Sequence, residues 1–468
     1  MLIINGLFTD HYELTMAQGY FLSGRHSSNA CFDYFFRKNP FNGGYVVFAG
    51  LADLLEIIRN YRFTREDLDY LKNIGFKDDF LKYLEDFAFK GDIYAPDEGE
   101  VIFPYEPFVR VEGNILETQV IETVLLNMIN FQSLIATKAS RVKQSAGNRL
   151  LLDFGLRRAQ GFGGIHASRA AIIGGFDGTS NVFSAHQYQI LSTGTMAHSW
   201  VQSYSTELEA FRDFAKYYPD KCILLVDTYD TLKTGIPNTI KVARELEDIG
   251  AKLEGIRLDS GDLGYLSKKA RAMLDENGLD YVKIFVSNQL DEYIIKSLIE
   301  QDAPVDGFGV GTKLVTGGDD AALDGVYKLS EFNNAPQVKI SDNLEKMTLP
   351  GKKNILRFYD DQNMYYGDAI VLEEERDIDI MHHPYQSGKS CNLKNYRNVR
   401  LLMKVMENGE IITPGKTIKE ISQNVREKLS ELPDEHKRFE NPHIYKVGIS
   451  EKLLNLRNKL VDEIKSVN

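Results

Sequence analysis

Between about Leu150 and Leu329, short apolar runs alternate with stretches of helical periodicity, a rhythm that restricts the chain to repeated βα units around a parallel sheet or barrel. The runs LLLDF (150–154), CILLVD (222–227), GIRLD (255–259), KIFVSN (283–288), DGFGVG (306–311) and GVYKL (325–329) are rich in branched residues, as strands covered on both faces are. Between them Ile236, Ile240, Ala243, Leu246 and Ile249 recur at three- and four-residue spacing, as do Leu290, Ile294 and Leu298 with Ile295 and Ile299, which describes one-sided helices. Pro237 in the first turn and Gly250 past the end mark the limits of one of them.

The flanking sequence reads differently. Before about 140 there are aromatic short strands (CFDYFF, GYVVFAG), charged helical stretches at 50–60 and 64–88, and a β-like stretch at 91–117, followed by a long apolar helix at 119–142. After 330 polar residues dominate, with turns at TLPGKK and HHPYQSGKS and an amphipathic terminal helix. The 468 residues allow two or three domains at about 150 residues each. The expected division is an N-terminal α+β domain over 1–140, a βα barrel over 141–335, and a C-terminal segment over 336–468 that completes the N-terminal layer and adds a helical tail.

Charge and cysteine content narrow the function. With 55 Lys and Arg against 67 Asp and Glu, the formal charge of −12 has the wrong sign for a nucleic-acid or anionic-membrane binder, so an anionic ligand needs a local cationic site. Cys31, Cys222 and Cys391 are far apart and form neither a disulfide framework nor a zinc spacing, and no metal site is expected. The start lacks a secretory pattern and no apolar run reaches about 18 residues, so a reducing, cytoplasmic setting without membrane insertion is expected.

In βα architectures chemistry gathers at the carboxyl ends of the strands. Those ends supply Asp153 and Arg157, then Asp227, then Arg257 with Asp259 and Asp262, then Asn288, then GFGVGT at 307–312. Asp and Asn also start turns and cap helices, so each one alone has a structural reading. In GFGVGT, glycines such as Gly309 and Gly311 allow close backbone approach to a phosphate and Thr312 adds a hydroxyl, with a tight turn as the alternative. ILLVDTYDTLKTG (223–235) is a near miss to a ribose-holding phosphoribosyltransferase loop, which leaves Asp227 as a candidate ribose or Mg²⁺-water contact. GTMAHSW (194–200) sets Thr195 and His198 three apart, on one face if a helix starts there with Ser192 or Thr193 as cap; a lone histidine is more often structural than catalytic.

Taken together, TDHYELTMAQGY (9–20), LLDFGLRRAQG (151–161), GGFDGTSN (174–181), STGTMAHSW (192–200), IRLDSGDL (256–263), FVSNQLDE (285–292), GFGVGTKLVT (307–316) and KISDNLEKMTLPGKK (339–353) closely resemble nicotinate phosphoribosyltransferases over nearly the whole chain. The resemblance implies an α/β fold, an irregular TIM-like barrel of the type II phosphoribosyltransferase kind packed on an α+β domain, usually as a homodimer. It also implies transfer of 5-phosphoribosyl from its 1-pyrophosphate (PRPP) to nicotinate, with coupled ATP hydrolysis, in NAD biosynthesis. By motif, Tyr12, Thr195 and Arg257 resemble nicotinate contacts, Thr312 a PRPP phosphate contact, and His198 the histidine transiently phosphorylated by ATP. Related nicotinamide-using enzymes point to Phe154 as the ring stacked on the pyridine, with Tyr12 arriving from the neighbouring subunit as its other face.

Nicotinate presents an unprotonated ring nitrogen near neutral pH, so its attack on the anomeric carbon needs no general base. Placement and stabilisation of the oxocarbenium-like sugar and the departing pyrophosphate are what such a site must supply, with Mg²⁺ on the pyrophosphate and Asp259 near the ribose. Selection of the acid over the amide requires a cation, Arg257 with Arg169 as lesser candidate, and no facing carboxylate; nicotinamide-preferring relatives carry Asp where Ser180 stands. Competing expectations are a nicotinamide-using relative, a phosphosugar aldolase or isomerase, and a non-catalytic pyridine-nucleotide sensor.

Overall fold

Continuous branched runs become parallel strands because both of their faces are covered by the helices that return the chain. The computed structural model describes residues 4–467 apart from 319, 342–345 and 387, so residues 342–345 of the KISDNLEKMTLPGKK string lie outside the described residues. The chain divides into two compact units, Ile135–Ala321 and a second built from Met1–Leu134 with Ala322–Asn468.

In the unit Ile135–Ala321 the strands follow the order Gly178–Thr179, Leu150–Asp153, Gly307–Val310, Lys283–Ser287, Gly255–Leu258, Ile223–Leu225, and every ladder is parallel. Register matters for function: Asp153 pairs with Thr179 and Val310, Ser287 with Gly309, and Arg257 with Phe285 and Leu225, so the carboxyl ends share one rim. The helix Ile236–Asp248 begins with Pro237 in its first turn and buries Ile236, Ala243 and Leu246. Ile249 lies past the helix end and is 72% exposed, while Gly250 takes the left-handed φ of +79° that stops the helix. In Glu292–Glu300 the inward row is Glu292, Ile295 and Leu298; Glu292 is fully buried and answered by Lys138 at 2.6 Å and Arg141 at 2.9 Å. Ile294 faces outward.

The other unit contains a seven-stranded sheet in the order Ala335–Pro336, Gly325–Phe332, Asn29–Phe36, Val109–Asn114, Asp92–Ala95, Met403–Glu407, Glu410–Ile411. This corrects the placing of 325–329 among the barrel strands: Gly325–Phe332 pairs antiparallel with Asn29–Phe36. Its polar and apolar residues interleave, which suits a sheet with one covered face rather than a doubly covered strand. The expected domain limits shift accordingly, since the first boundary falls inside the helix Glu122–Ala146 and residues 322–335 join the terminal segments. The helical stretch Ile115–Ala146 is long and apolar enough to cross a membrane, but 72% of its most apolar window is buried inside the protein, the pattern of a core helix.

The C-terminal segment also departs from expectation. Besides lending strands to the seven-stranded sheet, it builds a six-stranded sheet of its own, in the order Ser390–Asn392, Ile380–His382, Val447–Ser450, Tyr365–Leu372, Lys353–Tyr359, Arg397–Arg400. Lys353–Tyr359 is buried along its whole length. Its charges survive there because Arg357 binds Asp368 at 2.7 Å and Glu100 at 2.6 Å, while Lys353 binds Asp33 at 2.7 Å.

Candidate active site

Arg257 leaves the strand Gly255–Leu258 and gathers its neighbours' strand ends around one guanidinium. Nε donates to Ser287 Oγ at 3.0 Å, Nη1 to Thr195 Oγ1 at 2.9 Å and to the Met196 carbonyl at 3.2 Å, and Nη2 to Asp259 Oδ1 at 3.2 Å. A guanidinium has five N–H donors, so these four bonds leave one Nη2 hydrogen for a ligand. The Phe154 ring centroid lies 5.6 Å from its Cζ, giving the cation an aromatic neighbour. Asp259 Oδ1 also accepts from the Ser287 hydroxyl, and its Oδ2 takes no donor among the described residues. The capping alternative belongs instead to Asp262, whose Oδ1 accepts from the Tyr265 N–H at 3.0 Å at the start of Leu263–Glu276.

Asp227 is the second hub. Its side chain is only 2% exposed. Oδ2 accepts from Ser260 Oγ at 2.7 Å and the Asp259 N–H at 2.8 Å, and Oδ1 lies 3.2 Å from His198 Nε2. Asp227, expected as a ribose or Mg²⁺-water contact, thus has both lone pairs of Oδ2 engaged within the protein and turns Oδ1 to the imidazole. A carboxylate partner places the Nε2 hydrogen toward Asp227 and leaves the lone pair of a neutral ring on Nδ1. His198 opens the short helix His198–Gln202 behind Ala197, so Thr195 precedes the helix rather than sharing its face. Ser192 and Thr193 do not cap it; they are drawn to Thr179, Ser192 by a parallel bridge and Thr193 through its N–H.

The remaining expected residues divide by environment. Asp153 is fully buried and accepts from Ser168 Oγ and Thr179 Oγ1, both at 2.7 Å, and from the Gly155 N–H at 2.8 Å; burial raises its carboxyl above the usual range, and it clasps the rim rather than meeting a ligand. Ser180 donates from Oγ to the Asp153 carbonyl at 3.1 Å. Arg169 is buried on Gly161–Ile173 with its guanidinium over the Tyr188 ring. Asn288 is exposed at a strand end with a left-handed φ of +88°, the type of backbone strain that collects at functional rims. Tyr12 belongs to the other unit, on the helix His11–Leu22, where it is half exposed.

The glycine-rich run does something more specific than expected. A Cβ on Gly309 would overlap the Phe154 ring, so this glycine makes room for an aromatic side chain; its place inside a strand paired on both sides keeps it from forming an open phosphate cradle. Gly311 and Thr312 lie just past that strand, at the turn into Thr312–Val315. Gly309→Ala is expected to displace Phe154 at about 1–3 kcal/mol of stability and to raise KM for the ring-bearing substrate about tenfold, read by thermal unfolding and steady-state kinetics.

Sequence reasoning missed Ser287, Ser260 and the Met196 carbonyl. The two serines lie inside strings already singled out, FVSN and LDSG, but serine carries no residue-type signal for orienting a cation or a carboxylate. Among the described residues no group of three or more His, Cys, Asp or Glu could hold a metal ion.

Comparison with known proteins gives a consistent result. Three family models match in succession: the nicotinate phosphoribosyltransferase N-terminal domain at 7–130, the nicotinate phosphoribosyltransferase family at 150–387 and the nicotinate phosphoribosyltransferase C-terminal domain at 352–457. The nicotinate phosphoribosyltransferase of Bacillus subtilis is 43% identical, covering 98% of this chain and 96% of its own. That of Caenorhabditis elegans is 36% identical, covering 98% and 93%. The crystal structure of human nicotinic acid phosphoribosyltransferase superposes with a TM-score of 0.87 at 30% identity, over 97% of this chain and 99% of that one. By fold, by length and by sequence, the chain belongs to the nicotinate phosphoribosyltransferase family.

Proposed function

We propose that the protein joins nicotinate to the 5-phosphoribosyl group of PRPP, releasing nicotinate mononucleotide and pyrophosphate. The observation that carries this reading is the Arg257 guanidinium, held by Ser287, Thr195 and Asp259 beside the Phe154 ring with one N–H left for an anion. That arrangement suits a flat ring bearing a carboxylate: the ring lies against Phe154 and an oxygen takes the Nη2 hydrogen. The pyridine nitrogen then attacks the anomeric carbon as pyrophosphate departs. Asp259, with an oxygen unengaged, faces the positive charge that develops on the sugar. Thr312, Gly311 and Asn288 border the rim where the phosphates would rest.

PRPP and ATP arrive as substrates. Mg²⁺ would come with the pyrophosphate, neutralising its charge, with Asp259 as the protein carboxylate for the ion's water shell; a pair of substrate phosphates and one carboxylate is a usual Mg²⁺ environment and needs no three-residue cage. ATP passes its γ-phosphoryl to Nδ1 of His198, the nitrogen that the Asp227 bond leaves with a lone pair. Hydrolysis of that phosphohistidine shifts binding of PRPP and release of product rather than adding a step on the sugar. The protein works as a cytoplasmic homodimer in which Tyr12 of the neighbouring subunit covers the second face of the pyridine.

Ser180 sets the choice between acid and amide. A carboxylate there would repel nicotinate; two like charges about 4 Å apart repel each other by about 4 kcal/mol at an effective dielectric of 20, before solvent relaxation. Ser180→Asp is expected to lower kcat/KM for nicotinate about a hundredfold and to leave nicotinamide use unreduced, as measured by paired steady-state assays. The proposal as a whole is tested by incubating the protein with Mg²⁺, PRPP and either nicotinate or nicotinamide, with and without ATP, and quantifying mononucleotide. Nicotinate mononucleotide, formed faster with ATP, is the expected product; nicotinamide mononucleotide as the main product, or none, contradicts it.

A further inference from the structure

The helix His11–Leu22 sets two neighbouring side chains to opposite tasks. Tyr12 is half exposed, while Glu13 is fully buried and its Oε1 has no hydrogen-bond partner. Glu13 Oε2 accepts from Gln119 Nε2 at 2.6 Å, and the same nitrogen donates to Glu122 Oε2 at 2.8 Å. One amide NH₂ thus spends both hydrogens on two carboxyls that lie side by side beneath Tyr12. The Tyr12 phenol feels the charge of both Glu13 and Glu122, and either charge holds its proton on.

Two adjacent carboxylates, Glu13 buried and Glu122 half-buried, cannot both stay ionised cheaply, and the economical state of such a pair is one proton shared between them. The surroundings agree. Tyr12 and Tyr20 face the pair from the same helix, with Asp10 at its N-cap beside Tyr12, Tyr61 from the loop after Leu51–Arg59, and Tyr327 and Lys328 from Gly325–Phe332. Lys328 is the one cation in that set, and burial lowers its own ammonium. Burial, with Glu122 adding to it, pushes the Glu13 carboxyl up to about 7.

We propose that Glu13 and Glu122 share one proton and thereby fix the Tyr12 phenol as a wall of the pyridine site, making Glu13 a positioning residue for nicotinate capture. This rests on the reading of Tyr12 as a nicotinate contact. Loss of the shared proton puts two anions together under the phenol, which loosens the wall and adds negative charge near an anionic substrate. Nicotinate capture therefore weakens as pH rises through about 7, and the change falls on KM rather than kcat. Stability moves the same way: the folded chain holds this proton more tightly than the unfolded chain does, so stability from it is present at low pH and is lost as pH rises from the ordinary carboxyl range through about 7.

The test uses full-length wild type, Glu13→Gln, Glu122→Gln and Tyr12→Phe. KM for nicotinate of the wild type is expected to climb about fivefold between about pH 6 and 8.5, and the profile should flatten in both Gln variants. Tyr12→Phe keeps the ring but loses the hydroxyl link, so it too should flatten the KM profile while retaining the wild-type dependence of melting temperature on pH. Equal KM slopes in wild type and Glu13→Gln overturn the positioning role. Melting temperatures measured over the same pH range, which require no turnover, decide the shared proton separately: parallel profiles for wild type and Glu13→Gln overturn it. A chain that never uses nicotinate overturns the functional reading and the role of Tyr12 with it, while the melting profiles still report on the proton.

Discussion

Arg257→Ala is expected to lower kcat/KM for nicotinate about a thousandfold. The substitution removes the cation that answers the substrate carboxylate and leaves Asp259 without its charged partner and Thr195 and Ser287 each short of a donor. Truncating one partner of a hydrogen-bonded charge pair at a binding surface costs about 2–5 kcal/mol, and each 1.4 kcal/mol is a factor of ten. Arg257→Lys should recover only part of the loss, because an ammonium restores the charge but cannot reach Ser287, Thr195 and Asp259 at once from one plane. Steady-state kinetics with both pyridines separates the contributions: the loss should be large for nicotinate and smaller for nicotinamide. Equal losses for the two would mean that Arg257 braces the rim without reading the carboxylate.

His198→Ala should abolish the effect of ATP on the reaction while leaving slow, ATP-independent transfer. The imidazole is tied to Asp227 and, among the described residues, makes no hydrogen bond or ring contact to Arg257 or Phe154, so its removal spares the pyridine-binding group. A phosphoryl group on Nδ1 would bring nearly two negative charges to the rim, enough to alter the binding of an anionic substrate. Asp227→Asn should weaken ATP coupling as well, since the amide can no longer hold the Nε2 hydrogen with a full charge, and it should also disturb Asp259 through the lost bond to its N–H. The measurements are the ratio of ADP to mononucleotide formed and recovery of acid-labile phosphate on the protein. Full ATP coupling in His198→Ala would place the phosphoryl acceptor elsewhere.

The parts of the fold that could be read from sequence are those in which chemistry and burial agree. Leu150–Asp153, Gly255–Leu258 and Lys283–Ser287 are runs of branched residues covered on both sides, and they lie close to where the alternation places them. Gly325–Phe332 resembles them in composition but interleaves polar residues and lies in an antiparallel sheet. The C-terminal sheet was hidden for the opposite reason. KNILRFY is buried throughout, yet carries Lys353 and Arg357; their partners Asp33 and Glu100 are distant in sequence and Asp368 stands on the next strand, so KNILRFY itself carries no sign that these charges go inside.

The site shows the same division. Strand-end position identified Arg257, Asp259 and Asp227, because register alone aligns those ends. Position could not distinguish Asp259 from Asp262, three residues apart, where only the hydrogen bond to Tyr265 reveals the cap. Nor could it show that Asp227 spends both oxygens on His198, Ser260 and the Asp259 backbone, or that Gly309 is small on account of Phe154. These are matters of three-dimensional partnership, and the motif strings carry them without displaying them.

The most direct test of recognition is calorimetric titration of the full-length wild type and Arg257→Ala with nicotinate and with nicotinamide. Exothermic nicotinate binding that exceeds nicotinamide binding in the wild type, and loses that advantage when the guanidinium is removed, is the predicted result. Tighter binding of the amide, or a preference for the acid that survives in Arg257→Ala, would contradict the assignment of the cation that reads the substrate.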